Sequence, residues 1–506
     1  MTATRMKKYM QSISRVAVCG AVMLSAFGCS DYLEEVNKSN FTQGSYFTSA
    51  SQAQSAIDGL YAGLRMFNTD NGYGERPWVS LELINGHAST LGQSFFNSQF
   101  INQTADAANP PFRTIWQSSY NTIGSANLAI QRIPSISMDE SQKKSLLGQA
   151  YFMRAFFYYH LVRLYGDVPL ITTPIDASSA DLYPARSPQE DVYKLIVSDL
   201  TTAEQAGLPV SDQTGRITVG AVKSLLSSVY LTMAGYPLQK TENYALAAAK
   251  AKEVIDSKVY PLFTSYEYLH DNAHKNQGEL ILQAQYATGI ATNSISALVI
   301  PYFARISVYG DEYGAIIPTE GFYNTYEPGD LRAQERQFYF TQYPSISDTT
   351  QIVKFGVHAL YKYFHKESAL NRNVNTDENW TLLRLPEVML IYAEASNEVS
   401  GPTQLAYDQV NAIRARAQLK PLTGLSKDQF REAIWKERYH ELAYENKAYF
   451  DTQRTRKVYD VVNNRMVDAI GFKNESGATF TEKYLLWGLP QYDINNNKKL
   501  TQNPGW

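Results

Sequence analysis

Apolar residues recur along most of this chain at the three-and-four spacing of an amphipathic helix, and the places where that period fails divide it into parts. In residues 51–67, Ile57, Leu60, Tyr61 and Leu64 fall on one face, and residues 112–133 carry the same spacing. Residues 139–165 hold the widest stripe, from Leu147, Ala150 and Tyr151 through Phe157, Tyr158 and Leu161 to Leu164 and Tyr165. Gly166, Asp167 and Pro169 end it. Further helices are predicted over 188–206, 219–234 and 243–256, and again over 386–398, 403–418 and 426–445. Pro386 sits at a first-turn position, and Ser426 with Gln429 fits a capping box. Short connections predict antiparallel pairs, as in a solenoid of tetratricopeptide type, although no clean 34-residue period is present.

Two stretches lose the period. Residues 68–111 are rich in Asn, Gly, Ser and aromatics, with one short helical stretch over 78–84, and read as a long surface excursion. Residues 259–380 hold Gly, Pro, Tyr and Asn with short β-like runs such as 280–286. Excursions of this length inside a compact domain are functional or disordered. The chain has 36 Tyr beside 22 Phe and 6 Trp. A buried phenol must find a hydrogen-bond partner, so some of these rings are expected to face water or a ligand.

The first residues set Arg5, Lys7, Lys8 and Arg15 before an apolar run over 16–27, the pattern of an export signal. That run is about a dozen residues where a spanning helix needs roughly 20, so it is expected to be removed rather than retained as an anchor. It ends in Ala26-Phe27-Gly28-Cys29, which predicts cleavage after residue 28 and lipidation of Cys29. The other cysteine, Cys19, leaves with the signal, so the folded body is expected to carry no disulfide or thiol chemistry. Removing four basic groups from 46 leaves 42 against 49 acidic ones, a net charge of −7, which makes nucleic acid a poor partner. No Gly/Ser or Pro-rich linker cuts the remainder, so 29–506 reads as a single unit.

Several arrangements resemble chemical sites without meeting their requirements. Glu437, Glu441 and Glu445 share one helix face with Arg438 nearby, whereas glycosidase carboxylates flank a substrate from two sides; an ion-paired helix surface is the reading here. His270 and His274 are four apart but lack the intervening Glu of a zinc-protease helix. Arg154, Arg163 and Asp167 are expected to pair and fix the end of the long helix. There is no Gly-rich phosphate loop and no Ser or Cys nucleophile motif, so neither a catalytic residue nor a metal or cofactor is assigned. Sugar binding, by contrast, needs flat apolar faces for pyranose C–H surfaces and planar polar groups for hydroxyls, the mix of a small-ligand pocket. The two irregular stretches hold those types: Tyr73, Arg76, Trp78, Phe95, Phe96 and Asn97 in the first, and Tyr302, Phe303, Arg305, Tyr309, Asp311 and Tyr313 in the second.

Five ordered segments resemble the SusD/RagB family of Bacteroidetes outer-membrane lipoproteins. They are Cys29-Ser30-Asp31-Tyr32-Leu33-Glu34; the run from Arg154-Ala155-Phe156-Phe157 to Gly166-Asp167-Val168-Pro169-Leu170; Leu383-Arg384-Leu385-Pro386-Glu387 onward with Arg414 and Arg416; Glu437-Arg438 with Phe450-Asp451; and the closing Leu500-Thr501-Gln502-Asn503-Pro504-Gly505-Trp506. The resemblance implies a mostly α fold. Tetratricopeptide-like helix pairs form a superhelical scaffold, packed with an irregular loop-rich ligand-binding portion with minor β. Its parts are an N-terminal half over 29–258 with the ligand loop 68–111, an irregular region over 259–380, and C-terminal helix pairs and tail over 381–506. It further implies a surface-facing lipoprotein that captures oligosaccharide without cleaving it and acts as a lid on a SusC-like TonB-dependent transporter. A peptide-binding version of the lid is the alternative, and a glycoside hydrolase a more distant one. In this family the ligand surface is built from loops in the two irregular parts of the chain.

Overall fold

The computed structural model describes residues 47–68, 75–92, 94–176, 179–307, 312–367 and 375–506. Helix α1 (Ala50–Leu60) starts where the Ser49 hydroxyl accepts from Gln52 N, and it tightens into a 3₁₀ stretch over Tyr61–Asn68. Ile57, Leu60 and Leu64 turn inward as their spacing predicts, while Tyr61 is half-buried and donates to Gln149 Oε1 at 2.6 Å. Next comes α2 (Pro77–Leu83), all seven residues of which are buried. That overturns the reading of 68–111 as a surface excursion: the short run Trp78, Val79, Leu81, Leu83 is apolar enough to be enclosed on every side.

After strand β1 (Ala88–Ser89) and helix α3 (Phe95–Ile101), the helical scaffold begins with α4 (Pro110–Arg132) and α5 (Glu140–Tyr165). Paired prolines open α4, where their missing N–H groups cost nothing. Asp139 caps α5, and Gly166 ends it at φ +73°, a conformation that favours glycine. From Gly148 onward α5 is buried all round except at Tyr151 and Arg163, because α1, α4 and α6 (Gln189–Glu204) all pack on it. The predicted single stripe is therefore a correction: Phe152, Met153 and Phe156, outside that stripe, are equally buried.

Helices α7 (Val219–Ala234) and α8 (Asn243–Asp256) continue the row, each packed on its predecessor. The chain then makes β2 (Leu280–Ala284), a short α9 (Ile295–Val299), β3 (Ile317–Pro318) and α10 (Glu320–Tyr323). A hairpin of β4 (Tyr339–Pro344) and β5 (Ile352–Leu360) follows, and then β6 (Trp380–Arg384). The strands form two-stranded antiparallel pairs, β1 with β3, β2 with β6 and β4 with β5. The hairpin lies in a stretch whose period reads as irregular, although β5 does alternate Val353, Phe355, Val357 and Ala359 with Lys354, Gly356 and His358.

Helix α11 (Leu385–Ser400), with Pro386 in its first turn, packs on α8 and so joins the C-terminal helices to the N-terminal row across the irregular region. Then come α12 (Gln404–Arg416), α13 (Lys427–Glu441) with the predicted Ser426–Gln429 capping box, α14 (Ala448–Thr455), the hairpin β7 (Lys457–Asp460) and β8 (Arg465–Asp468), and α15 (Gln491–Asn496). Ser49–Trp506 forms one compact unit, mostly helical, with helix pairs in tetratricopeptide-like succession.

Two ionic expectations change. Arg154 pairs with Asp199 on α6, Nε and Nη2 each donating at 2.8 Å, and not with Asp167. Asp167 instead accepts from Gln189 N at 2.9 Å, and Arg163 is stacked between the Tyr159 and Phe450 rings. Glu437, Glu441 and Glu445 are ion-paired as expected, but inside the protein rather than on its surface. Arg332 Nη1 reaches Glu437 at 2.6 Å, Arg384 and Arg416 reach Glu441 at 2.6 Å each, and Arg384 Nε reaches Glu445 at 2.8 Å. Glu445 also lies past the end of α13, whose last residue is Glu441.

Candidate ligand-binding site

The two irregular stretches meet. Leu91 N and Gly92 N both donate to Gly314 O, at 2.8 and 3.0 Å, directly beyond the β1–β3 pair. The approach leaves no room for side chains: a Cβ on Gly92 would lie 2.9 Å from Tyr313 O, and one on Gly314 would lie 3.0 Å from Tyr302 N and 3.1 Å from Leu91 Cβ. Gly314 also sits at φ +53°. Three segments, around residues 91, 302 and 314, are thus locked at one junction.

On one flank, Ser94 caps α3. Its hydroxyl accepts from Asn97 N at 3.1 Å and donates to Glu75 Oε1 at 2.8 Å. The cap places Phe95 and Phe96 in the first turn, with ring centroids 5.6 Å apart; Phe95 is 69% exposed and Phe96 half-buried. On the other flank, Phe303 and Arg305 adopt φ +60° and +57°, unusual for residues with side chains. The buried Glu312 carboxylate holds that turn, accepting from the backbone N–H groups of Arg305, Ile306 and Ser307 at 2.8–3.0 Å. The turn presents Tyr302 and Phe303, ring centroids 4.1 Å apart, with Phe303 56% exposed. Leu91, 44% exposed, lies at the junction. Exposed and half-buried rings held by the Gly92–Gly314 contact and a buried carboxylate form a rigid apolar surface with Arg305 exposed beside it.

Other predicted site residues are placed elsewhere. Trp78 is fully buried, its Nε1 donating to Tyr444 O at 2.9 Å and its ring packed 4.9 Å from both Tyr363 and Trp380. Arg76 is buried too, tying Asn68 O and Ser294 Oγ. Asn97 is buried on the inner side of α3. These three are enclosed and present no face to a ligand. Tyr313 is half-buried and joins the junction through its backbone. Tyr73, Tyr309, Asp311 and the lipidation candidate Cys29 lie outside the described residues.

Sequence reading missed a polar cleft of about 810 Å³ whose walls include His270, Asn272, Arg336, Tyr361, His365 and Asp377. It adjoins the segment leading to Tyr302: Asn293 pairs with Thr376, and His365 N donates to Ser296 Oγ at 2.9 Å. His270 Nδ1 lies 3.2 Å from Glu378 Oε1. Burial pushes the Glu378 carboxyl up to about 8 and pulls the His270 imidazole well below its ordinary value, so the pair is predominantly uncharged at neutral pH. The helix-spacing test applied to His270 and His274 could not find this, because its partner is 108 residues away. Among the described residues no group of three acidic, histidine or cysteine side chains is placed to hold a metal.

Residues 31–231 match the family model described as starch-binding and associating with outer membrane, and residues 307–506 match that of the SusD family. A SusD superfamily protein of known structure from Parabacteroides distasonis is 36% identical, with a TM-score of 0.87 over 92% of this chain and 100% of its own. The chain belongs to the SusD/RagB family. SusD-like protein P2 of Formosa agariphila is 29% identical over 96% of this chain and 98% of its own. A laminarin-binding SusD-like protein shares the fold, with a TM-score of 0.73 at 23% identity over 91% of this chain and 100% of its own. Membership of the SusD family also bears on the site: residues 232–306, which include Tyr302, Phe303 and Arg305, fall outside both matched spans. The family patterns include the Phe95–Phe96 flank of this SusD-like chain and stop short of the turn that carries Tyr302 and Phe303.

Proposed function

We propose that this protein is a glycan-binding lipoprotein of the outer membrane that captures oligosaccharide and hands it to a SusC-like TonB-dependent transporter. The observation that carries the reading is the rigid surface of Phe95, Phe96, Tyr302 and Phe303 around the Leu91–Gly314 junction. Flat exposed rings on immobilised backbone stack on sugar C–H faces with little ordering cost, and the neighbouring polar cleft offers amide, imidazole and guanidinium groups to hydroxyls. Support comes also from the starch-binding description of the family pattern over 31–231 and from the laminarin-binding relative.

Titration calorimetry of the mature chain against laminarin- and malto-oligosaccharides tests this, with a reducing-end assay on the same mixtures. Heat of binding with no new reducing ends is expected. Turnover, or binding to peptides in place of sugars, overturns it. Anchoring through Cys29 on the cell exterior is part of the proposal: Cys29→Ala should abolish incorporation of labelled palmitate, and gentle detergent extraction should recover the native protein with a barrel partner.

A further inference from the structure

A second cavity, of about 580 Å³, lies where the ends of α6 and α7 meet α14 and the C-terminal segment. None of its wall belongs to residues 91–96, 302–313 or the polar cleft. Its walls are mainly apolar, with Tyr193, Tyr236, Pro237, Phe450, Leu485 and Leu486 among them. Backbone contacts fix it: Tyr236 N donates to Arg454 O at 2.8 Å, and Gln453 Nε2 bridges Arg163 O and Leu485 O at 2.8 and 2.6 Å.

The charges around this apolar space do not balance. Arg454 is neutralised by Glu394 and Asp451. Three other cations line the cavity, Arg163, Arg456 and Lys483, and none has a carboxylate within 4 Å among the described residues. Arg163 lies 3.7 Å from the ring centroids of both Tyr159 and Phe450 and spends only Nε, on Tyr159 O. Arg456 leans over Tyr236 at 5.0 Å, and Lys483 lies over Trp506 at 4.3 Å with its ammonium on Ala105 O. The acidic lining residue is Glu482, exposed at the rim. Burial lowers the Arg456 guanidinium from its ordinary value, and the rim carboxylate of Glu482 offsets that only in part.

We infer that this cavity is a binding site for a small carboxylate carried on an aromatic or aliphatic frame, distinct from the proposed glycan surface. The volume is that of a small-ligand site, the apolar walls suit the frame, and guanidinium N–H groups not spent on the protein suit a carboxylate, which they bind in a paired geometry. A neutral sugar would leave the cations unmatched and cover the apolar wall with hydroxyls.

The probes are 3-phenylpropionate and its uncharged amide, titrated into the mature chain with and without a laminarin oligosaccharide. The acid should bind at least tenfold more tightly than the amide, and added salt should weaken it. Arg456→Gln, at a partly exposed helix end, should lower acid affinity at least tenfold at unchanged melting temperature, and Arg163→Gln should do the same if its fold is intact. Oligosaccharide binding should be indifferent to the acid, so failure of either site is read separately. Equal affinity for acid and amide, no binding of either, or undiminished acid binding in Arg456→Gln overturns the inference.

Discussion

Arg384 Nη1 donates to Glu441 Oε1 at 2.6 Å where both side chains are almost wholly removed from water, at 2% and 0% exposure. Arg384 closes β6 and Glu441 closes α13, so this pair fastens the irregular region to the C-terminal helices. Glu279, Glu445, Arg416, Arg332 and Lys362 join the same buried cluster. A buried pair can contribute little over an apolar substitute, yet removing one partner strands the other charges. Arg384→Ala is therefore expected to lower unfolding free energy by about 3–5 kcal/mol, measured by urea denaturation.

Burial alone would raise the Glu441 and Glu445 carboxyls, but the surrounding cations overcome it and hold both at about 2. Unfolded glutamates titrate near 4.3, so the folded state binds these protons less readily. Their stabilisation is complete above the unfolded value and is lost as pH falls toward about 2. Wild-type stability should drop between pH 5 and pH 3 with a slope that is shallower in Glu441→Gln.

Glu378 has the opposite sign. Its folded carboxyl is raised to about 8, so its contribution is fully present below the unfolded value and declines as pH rises to 8. Glu378→Gln keeps the shape and removes the titration. Relative to wild type, the variant should gain stability steadily from pH 5 to pH 8, as followed by melting temperature; a difference that does not change with pH would show that the carboxyl is not held protonated.

Trp78 and Phe303 carry the same chemical promise in sequence and opposite roles in structure. Trp78→Ala empties a fully enclosed position and should cost about 3–5 kcal/mol of stability. Phe303→Ala, 56% exposed, should leave the melting temperature within a degree or two and weaken oligosaccharide binding by about five- to thirtyfold, the equivalent of roughly 1–2 kcal/mol. Paired melting and calorimetry on the two variants separates them.

Helices were legible because their spacing, caps and stops are local: 219–234 and 243–256 begin and end where the pattern places them, and Ser426 with Gln429 forms its capping box. What stayed hidden depends on distance along the chain. Trp78 is buried by Tyr363, Trp380 and Tyr444, and Arg154 finds Asp199 rather than the nearby Asp167. A charged or aromatic residue looks the same in sequence whether a remote partner covers it or not. Phe95 and Phe303 were picked out by residue type alone, and the Gly314 contacts that set their flanks around one junction had no local signature.

Gly314 tests whether that junction governs binding. A methyl group there meets Tyr302 N at 3.0 Å and Leu91 Cβ at 3.1 Å, both on packed segments, and the φ of +53° disfavours any side chain by about 1 kcal/mol. The strain cannot be relieved by a rotamer change, because the nearest atom is backbone. Separation of residues 91 and 302 is the available response, and it would lengthen the hydrogen bonds from Leu91 and Gly92 to Gly314 O. Gly314→Ala should thus lower stability by only about 1–2 kcal/mol, while oligosaccharide affinity falls as much as in Phe303→Ala although no ring has been removed. Hydrogen exchange at the Leu91 and Gly92 amides should accelerate in the same variant. Full affinity together with accelerated exchange would show that the rings bind without the junction that holds them.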